Sequence, residues 1–534
     1  MKITKYILLS GAALMVATTS CVGDLDVKPS NPTDITELTT KEEYLGLISR
    51  AYGGLVMEGG ITVDDGGAGV YTRQLFNQQE LTTDECLIAG NWNDSGIDEL
   101  VYAQPSASNH WIYEMYSRIN YQIALCNTTL QMLNKAGGLF TDAELDGFRA
   151  ELRVLRDLSY YHMIDIFGKG PWTDENSAVG AIPPTYSRTE LFNAVVADLN
   201  DAIPHVIPAA QQEYGRISKE AALALLAKLY LNAEVYTGTA MWQECANACQ
   251  QITASIPNLA PTYKYLFCAT NDKYVACKGN DLNHAEILWT VPEDATYMQT
   301  YGGTTYLSGG GYSAESPYAT FGLQAGPWSG PHMRPETVRN FSDGDQRALF
   351  WHGDEDNPGF FTLDLYDISN WGAEGSCGYQ CIKYVYTPEG EHYLLPESAA
   401  DSNSPFHQYM APDIFNSTDT PIFRLADIYL MLAECQLHGV SCDGLNYYNK
   451  VKIRAGLSAV GSYTAQDLLD ERNRELYWES HRRSDLIRFG KYTGSAYNWQ
   501  WKGGVQKGGA IESYRNLMPI PTQFTPSLGQ NPGY

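Results

Sequence analysis

Two stretches far apart in the chain repeat one design, and that design leaves little choice of fold. In "ISKEAALALLAKLYLNAEVY", Ser218 stands as an N-cap before an Ala- and Leu-rich run; a break at "TGTA" then leads into "MWQECANACQQITAS". The second run is apolar at Trp242, Cys245, Ala246, Cys249 and Ile252, the spacing of one helix face. Small side chains in the first run let a neighbouring helix come close. Near the other end "PIFRLADIYLMLAECQLHG", a turn at "VSCDG" and "LNYYNKVKIRAGL" follow the same order. Each pair is a helical hairpin that buries its face only against another hairpin, so the chain is expected to be mainly α.

An Ala-rich helix, a short turn and an aromatic-bearing helix form the signature of the tetratricopeptide unit of about 34 residues. About four such pairs are expected, over residues 111–255 and 421–489; a helical bundle without repeat ancestry is the alternative. Within the first scaffold "FRAELRVLRDLSYYHMIDIFGKGPW" predicts a helix that stops at Gly168 and Gly170, and "SRTELFNAVVADLNDAIPHV" carries a capping box, Ser187 with Glu190. Residues 256–420 differ: they are dense in Gly, Pro, Asn, Asp and aromatics, as in "MQTYGGTTYLSGGGYSAESPY". So much irregular chain between helices predicts long functional loops laid over a scaffold. "LLDERNRELYWESHRRSDLIRFGKY" is read as one helix whose charge ladder, Glu471, Glu475, Glu479 and Arg483, forms a solvated face or structural ion pairs worth a few tenths of a kcal/mol each.

The chain opens with Lys2 and Lys5, an apolar stretch and small residues before Cys21, the pattern of a bacterial lipoprotein signal with Cys21 as the lipidated residue. The expected division is a signal over 1–20, a flexible tether over 21–40 and one domain over 41–534. Lipid alone then places the protein on the outer membrane at the cell surface. With 62 acidic and 36 basic residues the formal charge is −26, which argues against nucleic acid and favours a neutral or cationic ligand. Ten of the 11 cysteines follow Cys21 without a zinc pattern. Buried free thiols are expected for most, with Cys268 and Cys277 as one pair able to close a loop disulfide.

No nucleophile elbow, zincin helix or phosphate-binding loop is present, and "GGGYSA" lacks a strand leading into it. Two spaced carboxylates suffice for a glycosidase, so a surface glycoside hydrolase stands as a rival reading.

Taken together, "LRVLRDLSYYHMIDIFGKGPW", "GRISKEAALALLAKLYLNAEVYTG", "RLADIYLMLAEC", "YYNKVKIRAGL", "ERNRELYWESHRRSDLIRFGKY" and the ending "LMPIPTQFTPSLGQNPGY" resemble the SusD/RagB family of Bacteroidetes outer-membrane lipoproteins. The resemblance implies a SusD-like fold on four tetratricopeptide pairs, no catalysis, no required cofactor, and a SusC-like TonB-dependent transporter as partner. It implies capture of an oligosaccharide, an α-glucan first and a fructan or another glycan next. A member specialised for peptides or transporter assembly is the third reading. "LFNQQELTTDECL", "YGGTTYLSGG" and "HRRSDLIRFGKY" are similar to the starch-binding members. By that likeness Arg73 and Asn93 take hydrogen-bonding positions, and Tyr301 and Trp328 two places of an aromatic arc. Those members carry a tryptophan pair where this chain has Ile88 and Gly90, and the nearby indole here is Trp92. The same likeness suggests calcium held by Asp272 and Asp419, oxygen donors of the kind a hard cation takes.

Overall fold

A computed structural model describes residues 38–59, 69–88, 94–178, 180–278, 281–314, 316–324, 326–351 and 378–534. Cys21, the leader and most of the tether, Trp92, Asn93 and Cys377 lie outside the described residues.

Helix α1 (Lys41–Gly53) begins with a capping box between Thr40 and Glu43. It packs on α3 (His110–Leu133), after the short α2 (Tyr71–Phe76), and α3 pairs with α4 (Asp142–His162). Then come α5 (Arg188–Ala202), α6 (Lys219–Leu231) and α7 (Trp242–Ser255). The predicted caps form: Ser187 Oγ accepts from the Glu190 amide and Ser218 Oγ from the Ala221 amide. Gly168 ends the α4 run with φ +72, a conformation that suits glycine. Helices α6 and α7 make the tightest pair. Seven consecutive residues, Ala221 to Ala227, are buried, because α6 is enclosed on all sides.

After the loop region, α9 (Leu425–Leu437) packs directly on α7 and on its own partner α10 (Gly444–Arg454). The two parts of the scaffold are thus continuous in space although α8 (Gly303–Leu307) and most of the loops intervene in sequence. No helix among the described residues is long and apolar enough to cross a membrane.

Eight short strands among the described residues form four two-stranded ladders. Strand β1 (Cys86–Ile88) pairs antiparallel with β3 (Pro331–Met333), and β2 (Ile287–Val291) with β4 (Thr420–Arg424). The second ladder corrects one expectation: "PIFR" does not open a helix. Pro421 and β-branched Ile422 suit an edge partner for β2, and α9 starts only at Leu425. Nor does Cys268 bond Cys277; both are free, as are the other described cysteines.

The larger correction concerns the charged C-terminal segment. It is two helices, α11 (Ala465–Leu476) and α12 (Arg482–Arg488), joined by a link in which Trp478 has φ +66 and Ser480 φ +62. The link is held by tertiary contacts: Trp478 donates its amide to Glu85 at 3.1 Å and its indole N–H to the Leu307 carbonyl at 3.3 Å. The ladder faces the interior, with Glu471, Glu475 and Arg483 at 0% exposure. Arg424 meets Glu475 at 3.0 Å and Glu479 at 2.6 Å, Arg347 meets Glu471 at 2.6 Å, and Arg472 meets Asp485 at 2.8 Å. These are buried charges whose pairing is obligatory, not surface pairs of marginal worth.

Candidate functional site

Tyr301 sits on the turn that leads into α8. Asp294 shapes that turn by accepting the amides of Thr296 at 2.7 Å and Tyr297 at 2.8 Å. Thr300 Oγ1 donates to the Val56 carbonyl at 2.7 Å, and the Tyr301 amide donates to Glu58 at 3.2 Å. With its backbone tied on both sides, the Tyr301 ring stays 39% exposed. It leans on Trp328, centroids 5.7 Å apart and planes 43° apart, and on Phe415, at 5.2 Å and 51°.

Trp328 comes from a separate strap. Its amide donates to the Gly309 carbonyl at 3.0 Å, and Ser329 and Gly330 bond the Tyr312 and Gly310 carbonyls. Three rings from three loops therefore make one tilted platform. Phe415, in "DIFNSTDT", was missed in the sequence; its signal was an aromatic among Asn, Asp and Ser.

Arg73, on α2, lies beneath this platform. Its guanidinium is 4.4 Å from the centroid of Tyr306, its Nη1 donates to the Tyr301 carbonyl at 3.4 Å, and only 6% of the residue is exposed. Arg73 thus holds the backbone that carries Tyr301. It also lines a small recess with Asn77, Ile88, Asp94 and Tyr306. Ile88 and Asp94 flank the segment that contains Trp92 and Asn93, so the described flanks of that segment and the platform share Arg73 as a neighbour.

Under the platform, Glu293 accepts the Thr304 amide at 3.0 Å, the Thr304 hydroxyl at 3.1 Å and the Thr420 hydroxyl. Its own amide donates to Asp419 at 2.8 Å. Burial pushes the Glu293 carboxyl up to about 7 despite these hydroxyl and amide donors. Asp419 is raised to about 7 by burial as well, with the Glu293 amide working against the shift. Sequence reading named Asp419, as an oxygen donor for calcium, but not Glu293 or the contact between the two.

The structure brings Asn271 and Asp419 together, but not the two carboxylates expected to share calcium. Asn271 Nδ2 donates to the Asp419 carbonyl at 2.9 Å, whereas the Asp272 carboxylate pairs with Lys278. Asp419 turns its carboxylate inward to the Glu293 amide. Among the described residues no group of three or more His, Cys, Asp or Glu is arranged to hold a metal ion. With the Asp419 carboxylate on the Glu293 amide and the Asp272 carboxylate on Lys278, the two do not form one donor set for a hard cation.

Comparison with known proteins bears on the family and the fold. Residues 408–534 match the model of the SusD family, and residues 55–231 match one described as starch-binding and associating with the outer membrane. Starch-binding protein SusD of Bacteroides thetaiotaomicron is 31% identical over 573 residues, covering 99% of this chain and 100% of that one. A SusD-like protein of Bacteroides ovatus is 24% identical over 430 residues, 77% of this chain and 72% of its own. Among solved structures, surface glycan-binding protein A from Bacteroides uniformis superposes with a TM-score of 0.68 at 19% identity, over 92% of this chain and 99% of that one. The B. thetaiotaomicron protein of that name, in complex with laminarihexaose, gives 0.66 at 19% identity over 92% and 100%. Full-length identity above 30% and the mainly helical architecture lead to one conclusion: the chain belongs to the SusD family.

Proposed function

We propose that the protein is a cell-surface lipoprotein of the outer membrane, anchored through Cys21, that captures oligosaccharides and delivers them to a SusC-like TonB-dependent transporter. An α-glucan is the first ligand, a fructan or another neutral glycan the next. The observation that carries the reading is the platform: an exposed Tyr301 ring braced by Trp328 and Phe415. A sugar presents an apolar C–H face to such a ring and hydroxyls around its rim, which Asn93, Trp92 and the polar groups near Arg73 are placed in sequence to meet. The formal charge of −26 suits an uncharged ligand. The match to a family described as associating with the outer membrane supports the location.

Migration in native gels containing amylopectin, inulin, levan or xylan tests the reading. Retardation by one of them is expected, with affinity falling about tenfold, on the order of 1.4 kcal/mol, in Tyr301→Ala and Trp328→Ala. Unchanged migration in all four gels would favour the transporter-assembly reading. Appearance of shorter products from a labelled oligosaccharide would favour the hydrolase.

A further inference from the structure

A second concavity opens beside the platform, between α1, the N-terminal half of α3 and the turn that carries Tyr301. Its volume is 530 Å³, inside the range of about 300–1,000 Å³ usual for ligand clefts. Ser49, Arg50, Met57, Glu58, Tyr121 and Met298 line it, with Gly53 and Gly54 behind them and exposed Gly46 at its edge. Met57 is 40% exposed, and Tyr121 and Met298 are half-buried. One aromatic ring, Tyr121, and two methionines thus stand in one cleft with a hydroxyl, a guanidinium and a carboxylate. That mixture matches a sugar, apolar on its face and polar on its rim, better than it matches a lipid or an apolar helix.

The cleft and the platform are joined. Glu58, a wall of the cleft, accepts the Tyr301 amide at 3.2 Å, and Val56, two residues earlier, accepts the Thr300 hydroxyl at 2.7 Å. Met298 of the cleft and Tyr301 of the platform lie three residues apart in the chain, and Tyr297, next to Met298, is 89% exposed. Buried Arg118 fixes the same wall by donating to the carbonyl of Gly59, next to Glu58, at 2.7 Å. The cleft and the platform are therefore tied to one another through the Val56–Thr300 and Glu58–Tyr301 hydrogen bonds.

We propose that this cleft is an extension subsite: it takes further rings of an oligosaccharide whose first rings stack on the Tyr301 platform. The proposal rests on the glycan-binding reading and deepens it, because it makes the ligand a glycan chain, not a mono- or disaccharide. Affinity then rises with chain length through rings bound in tandem.

Gly46 supplies the test. A Cβ built there meets nothing within 4 Å, so a large side chain can be added on the helix surface without displacing packed atoms. Binding of maltotriose and maltoheptaose is measured by calorimetry in the wild type, Gly46→Trp and Tyr301→Ala; the trimer and heptamer of whichever other polysaccharide retards migration replace them if amylopectin does not. In the wild type the heptamer is expected to bind about tenfold more tightly than the trimer, and Gly46→Trp to remove that gain while leaving the trimer within about twofold. Tyr301→Ala should weaken both lengths. Equal affinity for both lengths in the wild type, or a heptamer gain that survives Gly46→Trp, overturns the subsite and leaves the platform reading intact. Binding of neither length overturns the glycan reading and the subsite with it.

Discussion

Two buried sets of carboxyl groups are treated in opposite ways by this fold. Along the junction of α9, α11 and α12, acids face arginine and lysine: Glu479 touches both Arg424 and Lys383 at 2.6 Å, and Asp427 lies 2.7 Å from Lys228. Burial raises the Glu479 carboxyl, but Arg424 and Lys383 outweigh it and hold the group near 2. Beneath the aromatic platform, Glu293 and Asp419 face only hydroxyl and amide donors, and burial takes both up to about 7. The difference separates two tasks. The scaffold is locked by paired charges that tolerate no missing partner, while the loops of the aromatic platform adjoin groups whose charge is marginal at neutral pH.

Removing one cation from the scaffold should give the largest effect. Arg424 is 2% exposed and bonds Glu286 at 2.7 Å, Glu475 at 3.0 Å and Glu479 at 2.6 Å. Arg424→Met leaves these acids buried with less compensation, at a cost of about 3–5 kcal/mol. Chemical denaturation would register it as a lower midpoint. Tyr301→Ala, by contrast, should leave the midpoint nearly unchanged and act on binding.

The next effect is a pH dependence with opposite signs in the two regions. Glu479, lowered from 4.5 to about 2, contributes stability that is complete above pH 4.5 and lost as the pH falls toward 2. Glu293, raised from 4.5 to about 7, binds its proton more tightly in the folded state. Its contribution is complete below pH 4.5 and declines as the pH rises to about 7, by on the order of 3 kcal/mol for the full span. Glu293→Gln should flatten that decline between pH 5 and 8 in urea midpoints. If the variant and the wild type fall in parallel, the platform's support is not what titrates.

The same contrast shows what a sequence can tell. Helix positions and caps were legible because they depend on local chemistry: Ser187 and Ser218 cap the helices they precede. Of the two readings of 465–488, ion pairs held and the solvated face did not, because spacing on one helix says nothing about what the rest of the chain lays over it. Arg347 and Arg424, more than 40 residues away in sequence, supply the covering charges. For the same reason the break at Trp478 was invisible: an indole that inserts toward the Leu307 carbonyl overrides a good helical pattern. Tyr301 and Trp328 were readable through family likeness, whereas Phe415 and the Glu293–Asp419 support depend on three loops meeting, which no local pattern records.

The smallest expected change sharpens the comparison at the edge of the cleft. Gly46 lies inside α1, exposed, with a helical backbone and open space where a Cβ would stand. Glycine here weakens the helix through the freedom it retains in the unfolded chain, so Gly46→Ala should raise stability by about 0.5–1 kcal/mol. A methyl group is too small to fill the cleft, and oligosaccharide affinity at every length should stay as in the wild type. The alanine variant thus separates helix propensity from occupancy: a loss of heptamer binding in Gly46→Ala equal to that in Gly46→Trp would mean that α1 acts on the ligand through its own rigidity and not through the space it leaves open.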